Sequence, residues 1–173
     1  TVADLLANDS DANADSLTII KVGEAQHGSV SLSGNDIFFT PEIGYVGPAS
    51  FTYTVADGKG GVSVATANIE LINTSPTAQG EAFDTAEDTA LTIPTASLLS
   101  NDSDPDPGTT LSITKANNAS HGSVSLNGTN VVFTPEADFN GTAGFDYIVS
   151  DGQGGTATAH VSVSVSAVND APV

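Results

Sequence analysis

Three aspartates stand two apart in one short stretch, Asp102, Asp104 and Asp106, and a fourth, Asp151, opens the glycine-rich run Asp151–Gly155. Alternate spacing within a loop lets carboxylates converge on a point. Four such groups at one end of a domain repel each other unless something cationic sits among them. Calcium accepts about six to eight oxygens in loose geometry and tolerates loop-borne ligands, whereas magnesium is stricter and keeps its water. The pattern therefore predicts Ca2+ at this cluster. Part of the set recurs near the start of the chain as Asp9, Asp11 and Asp57, with Asn13 where the third alternate acid would stand.

The competing reading of these aspartates is turn formation, which suffices for an isolated Asp57-Gly58 pair. Three alternating acids exceed what a turn needs. His27 and His121 each precede a glycine at a predicted hairpin and are read as turn residues, and His160, matched to Asn68, as a solvent-facing strand residue. Tyr45 and Phe139, both in loops, are expected to plug one end of the fold. For catalysis there is little to hold: no GxSxG elbow, no HExxH pair and no phosphate-cradling glycine loop is present, and three scattered histidines offer no triad. The chain is read as a non-enzyme.

The elements that must position these acids come in two copies. LLANDSD at Leu5–Asp11 returns as LLSNDSD at Leu98–Asp104, and HGSVSL at His27–Leu32 returns at His121–Leu126. From Leu17–Gly61 onto Leu111–Gly155 the match is gapless at an offset of 94, with roughly half the positions identical. A repeat of this length means a domain used more than once. The expected organisation is residues 1–75 as one repeat lacking its opening strands and residues 76–173 as a complete repeat ending in a linker. Thr1 aligns with Pro94, so the stretch from about Pro76 to Ile93 has no counterpart in the first repeat.

Within each repeat the apolar positions alternate: Val161, Val163 and Val165 interleave with Ser162, Ser164 and Ser166, and Phe51, Tyr53 and Val55 with Thr52 and Thr54. That is the period of strands with one face buried. Turn signals at short, even spacing, with Ser33-Gly34 and Asn127-Gly128 as tight hairpins, predict an all-β sandwich of about seven strands per repeat. The expected strands of the second repeat are about Thr77–Thr85, Ala90–Pro94, Thr110–Ala116, Ser123–Leu126, Asn130–Pro135, Gly144–Ser150 and Gly155–Ser166, with a helical turn at Leu98-Leu99. Alternating strand directions then put Asn101–Asp106, Asp151–Gly155 and the incoming linker at one end. Glu87, Glu136 and the outgoing Asn169-Asp170 fall at the other.

Composition narrows the partners. The formal charge of −18 sets 21 Asp and Glu against Lys21, Lys59 and Lys115 alone, which argues against nucleic acid and anionic membranes, both bound through Lys and Arg. The chain has no Cys, so disulfides and thiolate metal sites play no part. No apolar run approaches the roughly 18–20 residues needed to span a bilayer.

Taken together, LLSNDSDPD, HGSVSLNG, VVFTPEADFNG, FDYIVSDGQGG and VNDAPV resemble the cadherin-like tandem repeats of very large bacterial surface and secreted proteins, including RTX-type adhesins exported by type I secretion. The resemblance covers the whole chain. It implies immunoglobulin-like Greek-key sandwiches, an extracellular or cell-surface setting, adjacent repeats of the same polypeptide as partners, and Ca2+ where consecutive repeats meet. Carried over by position, Glu87 and Glu136 resemble the upstream ligands, Asn169 and Asp170 the linker ligands, and Asp104, Asp106 and Asp151 the downstream ones. The internal linker reads Asn73-Thr74-Ser75-Pro76, without the Asp of Asn169-Asp170, so the internal junction is expected to hold fewer ions, with Glu42 and Asn73 facing Asp104, Asp106 and Asp151. The leading expectation is a stalk of an adhesin that stiffens on Ca2+. Two alternatives stay open: a module that binds polysaccharide or other copies of itself, and a filament subunit completed by strands from a neighbouring chain.

Overall fold

The computed structural model describes residues 1–169, and the chain folds as two compact units, Thr1–Ile72 and a second beginning at Asn73. The first opens with a single helical turn, α1 (Val2–Leu6), followed by five strands: β1 (Thr18–Gln26), β2 (Gly28–Ser33), β3 (Asp36–Pro41), β4 (Gly47–Ala56) and β5 (Val62–Leu71). They form an antiparallel sheet in the order β1-β4-β5 and a β2-β3 hairpin. The alternation in β4 is realised in full, with Ala49, Phe51, Tyr53 and Val55 turned inward and buried.

The second unit contains seven strands: β6 (Glu81–Ala86), β7 (Leu91–Pro94), β8 (Ser112–Ser120), β9 (Gly122–Asn127), β10 (Asn130–Pro135), β11 (Gly141–Ser150) and β12 (Thr156–Ser166). The expected helical turn lies between β7 and β8 as α2 (Thr95–Leu98), continued by a 3-10 turn over Leu99–Asn101. One sheet runs β7-β10-β9 and the other β6-β12-β11-β8. Every pairing is antiparallel except β6 on β12. Between the sheets lie Ile93, Leu98, Val131, Phe133, Phe145, Tyr147, Val149, Val161 and Val163, nearly inaccessible to water, with the Phe133 and Phe145 rings 5.8 Å apart. This is the all-β sandwich that the period-2 pattern predicts.

Local chemistry explains the repeated motifs. In the shared HGSV run the histidine takes a left-handed backbone, φ 57° at His27 and 54° at His121, which bends the chain from one strand into the next. The glycine that follows has no room for a side chain: a Cβ on Gly122 would stand 2.5 Å from the Phe133 ring, and one on Gly28 equally close to Phe39. The hairpin tips fall one residue later than expected, at Gly34-Asn35 and Gly128-Thr129, with φ +60° at each glycine.

Other sequence expectations shift as well, and β11 starts at Gly141 rather than Gly144. β6 starts at Glu81 rather than Thr77, because Gly80 lies against the backbone carbonyl of His160 and Thr77 forms an isolated bridge with Ser103. β8 runs on through Asn117 and Asn118 to Ser120, held by pairing with β11 across two register shifts. His160 is matched by Thr66 rather than Asn68, since Asp146 faces His160 and Thr52 faces Thr66 in the two registers.

Candidate metal centre

The acids at the incoming end of the second unit are organised by the linker. Asp151 follows β11, is 5% exposed, and accepts hydrogen bonds at Oδ1 from the backbone N–H of Gln153 (2.7 Å) and Gly155 (3.0 Å). Its Oδ2 accepts from Nδ2 of Asn73 at 2.7 Å. Donors on both oxygens, the Asn73 amide foremost, hold this carboxyl below the ordinary carboxylate range. One residue on, the Thr74 N–H donates to Oδ2 of Asp106 at 2.6 Å, and the Asp106 N–H donates to Oδ1 of Asp104 at 2.7 Å. Asp151, Asn73, Asp106 and Asp104 are thus tied in one connected run.

Two oxygens in that run have no partner: Oδ2 of Asp104 and Oδ1 of Asn73, both buried. A buried acceptor left without a donor costs about 1–3 kcal/mol, and more when it is charged. The available donors are carboxylate and amide oxygens, the hard set that Ca2+ takes, with no nitrogen or sulfur ligand to favour a transition metal. In kind the residues fit Ca2+. Among the described residues no three His, Asp or Glu side chains lie close enough together to hold a metal ion as they stand.

Asp102, expected in the same cluster, is turned elsewhere. Its carboxylate lies 3.1 and 3.3 Å from the Tyr147 hydroxyl and accepts the Gln79 N–H at 2.8 Å. The same hydroxyl is 2.9 Å from the Gln79 carbonyl, 3.1 Å from Oε1 of Glu81 and 3.2 Å from the Leu98 carbonyl. One phenolic proton cannot serve all these acceptors. Burial, reinforced by the neighbouring charge of Asp102, raises the pKa of Glu81, and burial beside Glu81 and Asp102 pushes that of Tyr147 far up. Sequence reading missed this hub: Tyr147 shows only as an inward core position and Glu81 as one residue of an alternating strand.

At the other end, Glu87 is 4% exposed; its carboxylate accepts the Val168 N–H and its own N–H donates to the Ser166 carbonyl at 2.9 Å. Glu136 pairs with His121, Nδ1 to Oε2 3.6 Å, and the His121 ring stacks on Phe139 at 4.3 Å. Asn169 closes the described chain, and Asp170 lies outside the described residues. In the first unit Glu42 sits 3.4 Å from His27, which stacks on Tyr45 at 3.8 Å. Asp9 accepts from the Tyr53 hydroxyl at 3.3 Å. Asp11 accepts from the N–H of Asn13 and Asp15, and Asp57 from those of Lys59 and Gly61. Asp9, Asp11 and Asp57 line one open cleft.

The cadherin-like domain family matches residues 1–71 and again residues 72–166, so this chain belongs to that family and carries two of its domains in tandem. Such domains are non-enzymatic, adhesion-type repeats, typically extracellular, and commonly bind Ca2+. Among solved structures the chain is similar to human mucin-like protocadherin EC1-2, at 18% identity over 88% of this chain and 84% of that one, TM-score 0.42. It is similar also to protocadherin gamma C5 EC1-3, at 18% identity over 99% and 59%, TM-score 0.37. An endo-fucoidan hydrolase of glycoside hydrolase family 107 matches at 20% identity and TM-score 0.37, over 91% of this chain and 24% of the hydrolase. Among curated proteins none matches the chain. No helix among the described residues is long and apolar enough to cross a membrane.

Proposed function

We propose that this chain is a calcium-binding segment of a long extracellular, adhesin-type bacterial protein, in which Ca2+ holds consecutive cadherin-like repeats in a stiff array. The observation that carries the reading is the pair of buried, partnerless oxygens of Asp104 and Asn73 beside Asp106 and Asp151. In this reading those four residues are the principal ligands of the internal junction and Glu42 is the contribution of the first repeat. Asp9, Asp11 and Asp57 form the matching half-site for a repeat upstream, and Glu87, Glu136, Asn169 and Asp170 the half-site for one downstream. A net charge of −18 favours cations throughout and makes the calcium-free array self-repelling.

An ion that binds the docked state and not the separated one stabilises docking by RT ln(1 + [L]/Kd). Extracellular modules bind at about 0.1–1 mM, so millimolar calcium contributes about 1 kcal/mol per site. Calcium titrated into chelator-treated protein should release or absorb heat with a midpoint in that range and raise the melting temperature. Asp104→Ala with Asp106→Ala should remove both effects. No heat and no shift in the unsubstituted protein would overturn the reading. Scattering profiles that superimpose with and without calcium would leave binding intact but refute stiffening.

A further inference from the structure

Among the described residues five buried side-chain oxygens have no hydrogen-bond partner: Oδ1 of Asn73, Oε2 of Glu81, Oδ2 of Asp104, Oδ1 of Asn117 and Oε1 of Gln153. Glu81 belongs to the hub around Tyr147, and Asn117 lies on β8 opposite Asp146. Asn73 and Asp104 belong to the linker and the acidic loop at the incoming end. Gln153 sits on the loop that carries Asp151, at that same end.

The Gln153 loop is tied to the linker by hydrogen bonds and by close packing. The Gln153 N–H donates to Oδ1 of Asp151 at 2.7 Å, and the other oxygen of that carboxylate takes the Asn73 amide at 2.7 Å. Gly155 ends the loop directly beneath the linker, where a Cβ would overlap Asp151 and stand 2.9 Å from Cα of Ser75 and 3.0 Å from Nδ2 of Asn73. A buried amide oxygen without a donor is destabilising, and three such oxygens on one hydrogen-bonded run suit a hard cation. The carboxylates by themselves do not converge closely enough to hold an ion. Neutral oxygens therefore have to complete the set.

We infer that Gln153 is a further, neutral calcium ligand of this centre, and that its position makes the centre stronger than the matching cluster of the first unit. The inference rests on the calcium reading above. Affinity at such sites follows the number and charge of the ligands. The first-unit residues that match Asp104, Asp106 and Asp151 are Asp11, Asn13 and Asp57, one acid fewer. The loop there has the same form, with the N–H groups of Lys59 and Gly61 on Oδ1 of Asp57 at 2.7 and 2.9 Å. Lys59 stands where Gln153 stands, and it brings an ammonium instead of an amide oxygen. One position thus supplies a ligand in one repeat and a competing charge in the other.

The test titrates calcium into the chelator-treated full chain by calorimetry and follows the melting of the second unit in EDTA. Gln153→Ala should weaken the tightest class of sites about tenfold, Gln153→Lys should weaken it further, and Gln153→Glu should tighten it. In EDTA Gln153→Ala should melt no lower than the unsubstituted chain, because it removes an unmatched acceptor rather than a bond. Unchanged calcium affinity in Gln153→Ala and Gln153→Lys would overturn the inference while leaving the calcium reading in place. So would weaker binding accompanied by a lower melting temperature in EDTA, since Gln153 would then act by holding the loop. An unsubstituted chain that binds no calcium would overturn both.

Discussion

Tyr53 and Tyr147 occupy the same place in two copies of one motif, yet the hydroxyl of Tyr147 lies among oxygens of Gln79, Glu81, Leu98 and Asp102, while that of Tyr53 meets Asp9. The difference extends through the cores. Among the described residues twelve form the buried cluster of the second unit, and four, Ile19, Phe51, Tyr53 and Val55, that of the first. The apolar side chains of the first unit are not fewer in kind; Phe39 matches Phe133 and Ile69 matches Val163, but each is left half-covered. A strand's alternation decides which side chains point inward. Whether inward is also dry depends on the layer laid over them, and in the second unit that layer is the opening segment.

The largest effect should come from truncating the central aromatics. Phe145→Ala should cost the second unit about 3–5 kcal/mol, and Phe51→Ala should cost the first about 1–2 kcal/mol less, because its surroundings are looser. Urea melts resolved by unit would measure both, and equal losses would show that the covering layer contributes nothing. Next comes the hydroxyl. Tyr147→Phe removes the single proton available to the oxygens around it and should cost about 1–3 kcal/mol, against less than about 1 kcal/mol for Tyr53→Phe.

The smallest effects are those of pH, and they run in opposite directions within the second unit. The raised pKa of Glu81 means that its contribution to stability is complete below its ordinary value, near about pH 4, and is lost as pH rises through the folded value. Glu81→Gln should therefore raise the melting temperature at neutral pH and flatten that part of the profile. The lowered pKa of Asp151 works the other way: its contribution is complete above about pH 4 and disappears as pH falls through the folded value. Asn73→Ala, by removing the first cause of that shift, should move the acid limb of the second unit upward. An unchanged acid limb in Asn73→Ala would break the link between the linker and Asp151.

Much of this was legible in the sequence because it is local. The repeat, the strand parity of Phe145 and Val161, the helical turn at Leu98 and the end-on grouping of Asp106 and Asp151 with Asn73 all follow from periodicity and from strands that reverse direction. The His160 match slipped by two residues because the identity between repeats fades after Gly61, and only the ladder to Asp146 fixes it. The stacking of Tyr45 and Phe139 on His27 and His121 and the pairing of Glu42 and Glu136 with those histidines have no signal beyond recurrence in both copies. Asp102 looked like one more member of an alternating triplet, but it sits where the Tyr147 hydroxyl reaches it, so the alternate spacing divides its carboxylates between two tasks.

Composition and pattern by themselves determined that this is a tandem all-β protein, highly acidic, with its carboxylates concentrated in loops, since charge and period-2 alternation are properties of residues and their neighbours in the chain. Tertiary structure decided which carboxylates face a partner and which are left with an unmatched oxygen, and how Tyr147 differs from Tyr53. Those outcomes depend on contacts between residues tens of positions apart, such as those of Tyr147 with Gln79 and Glu81, which no local pattern contains.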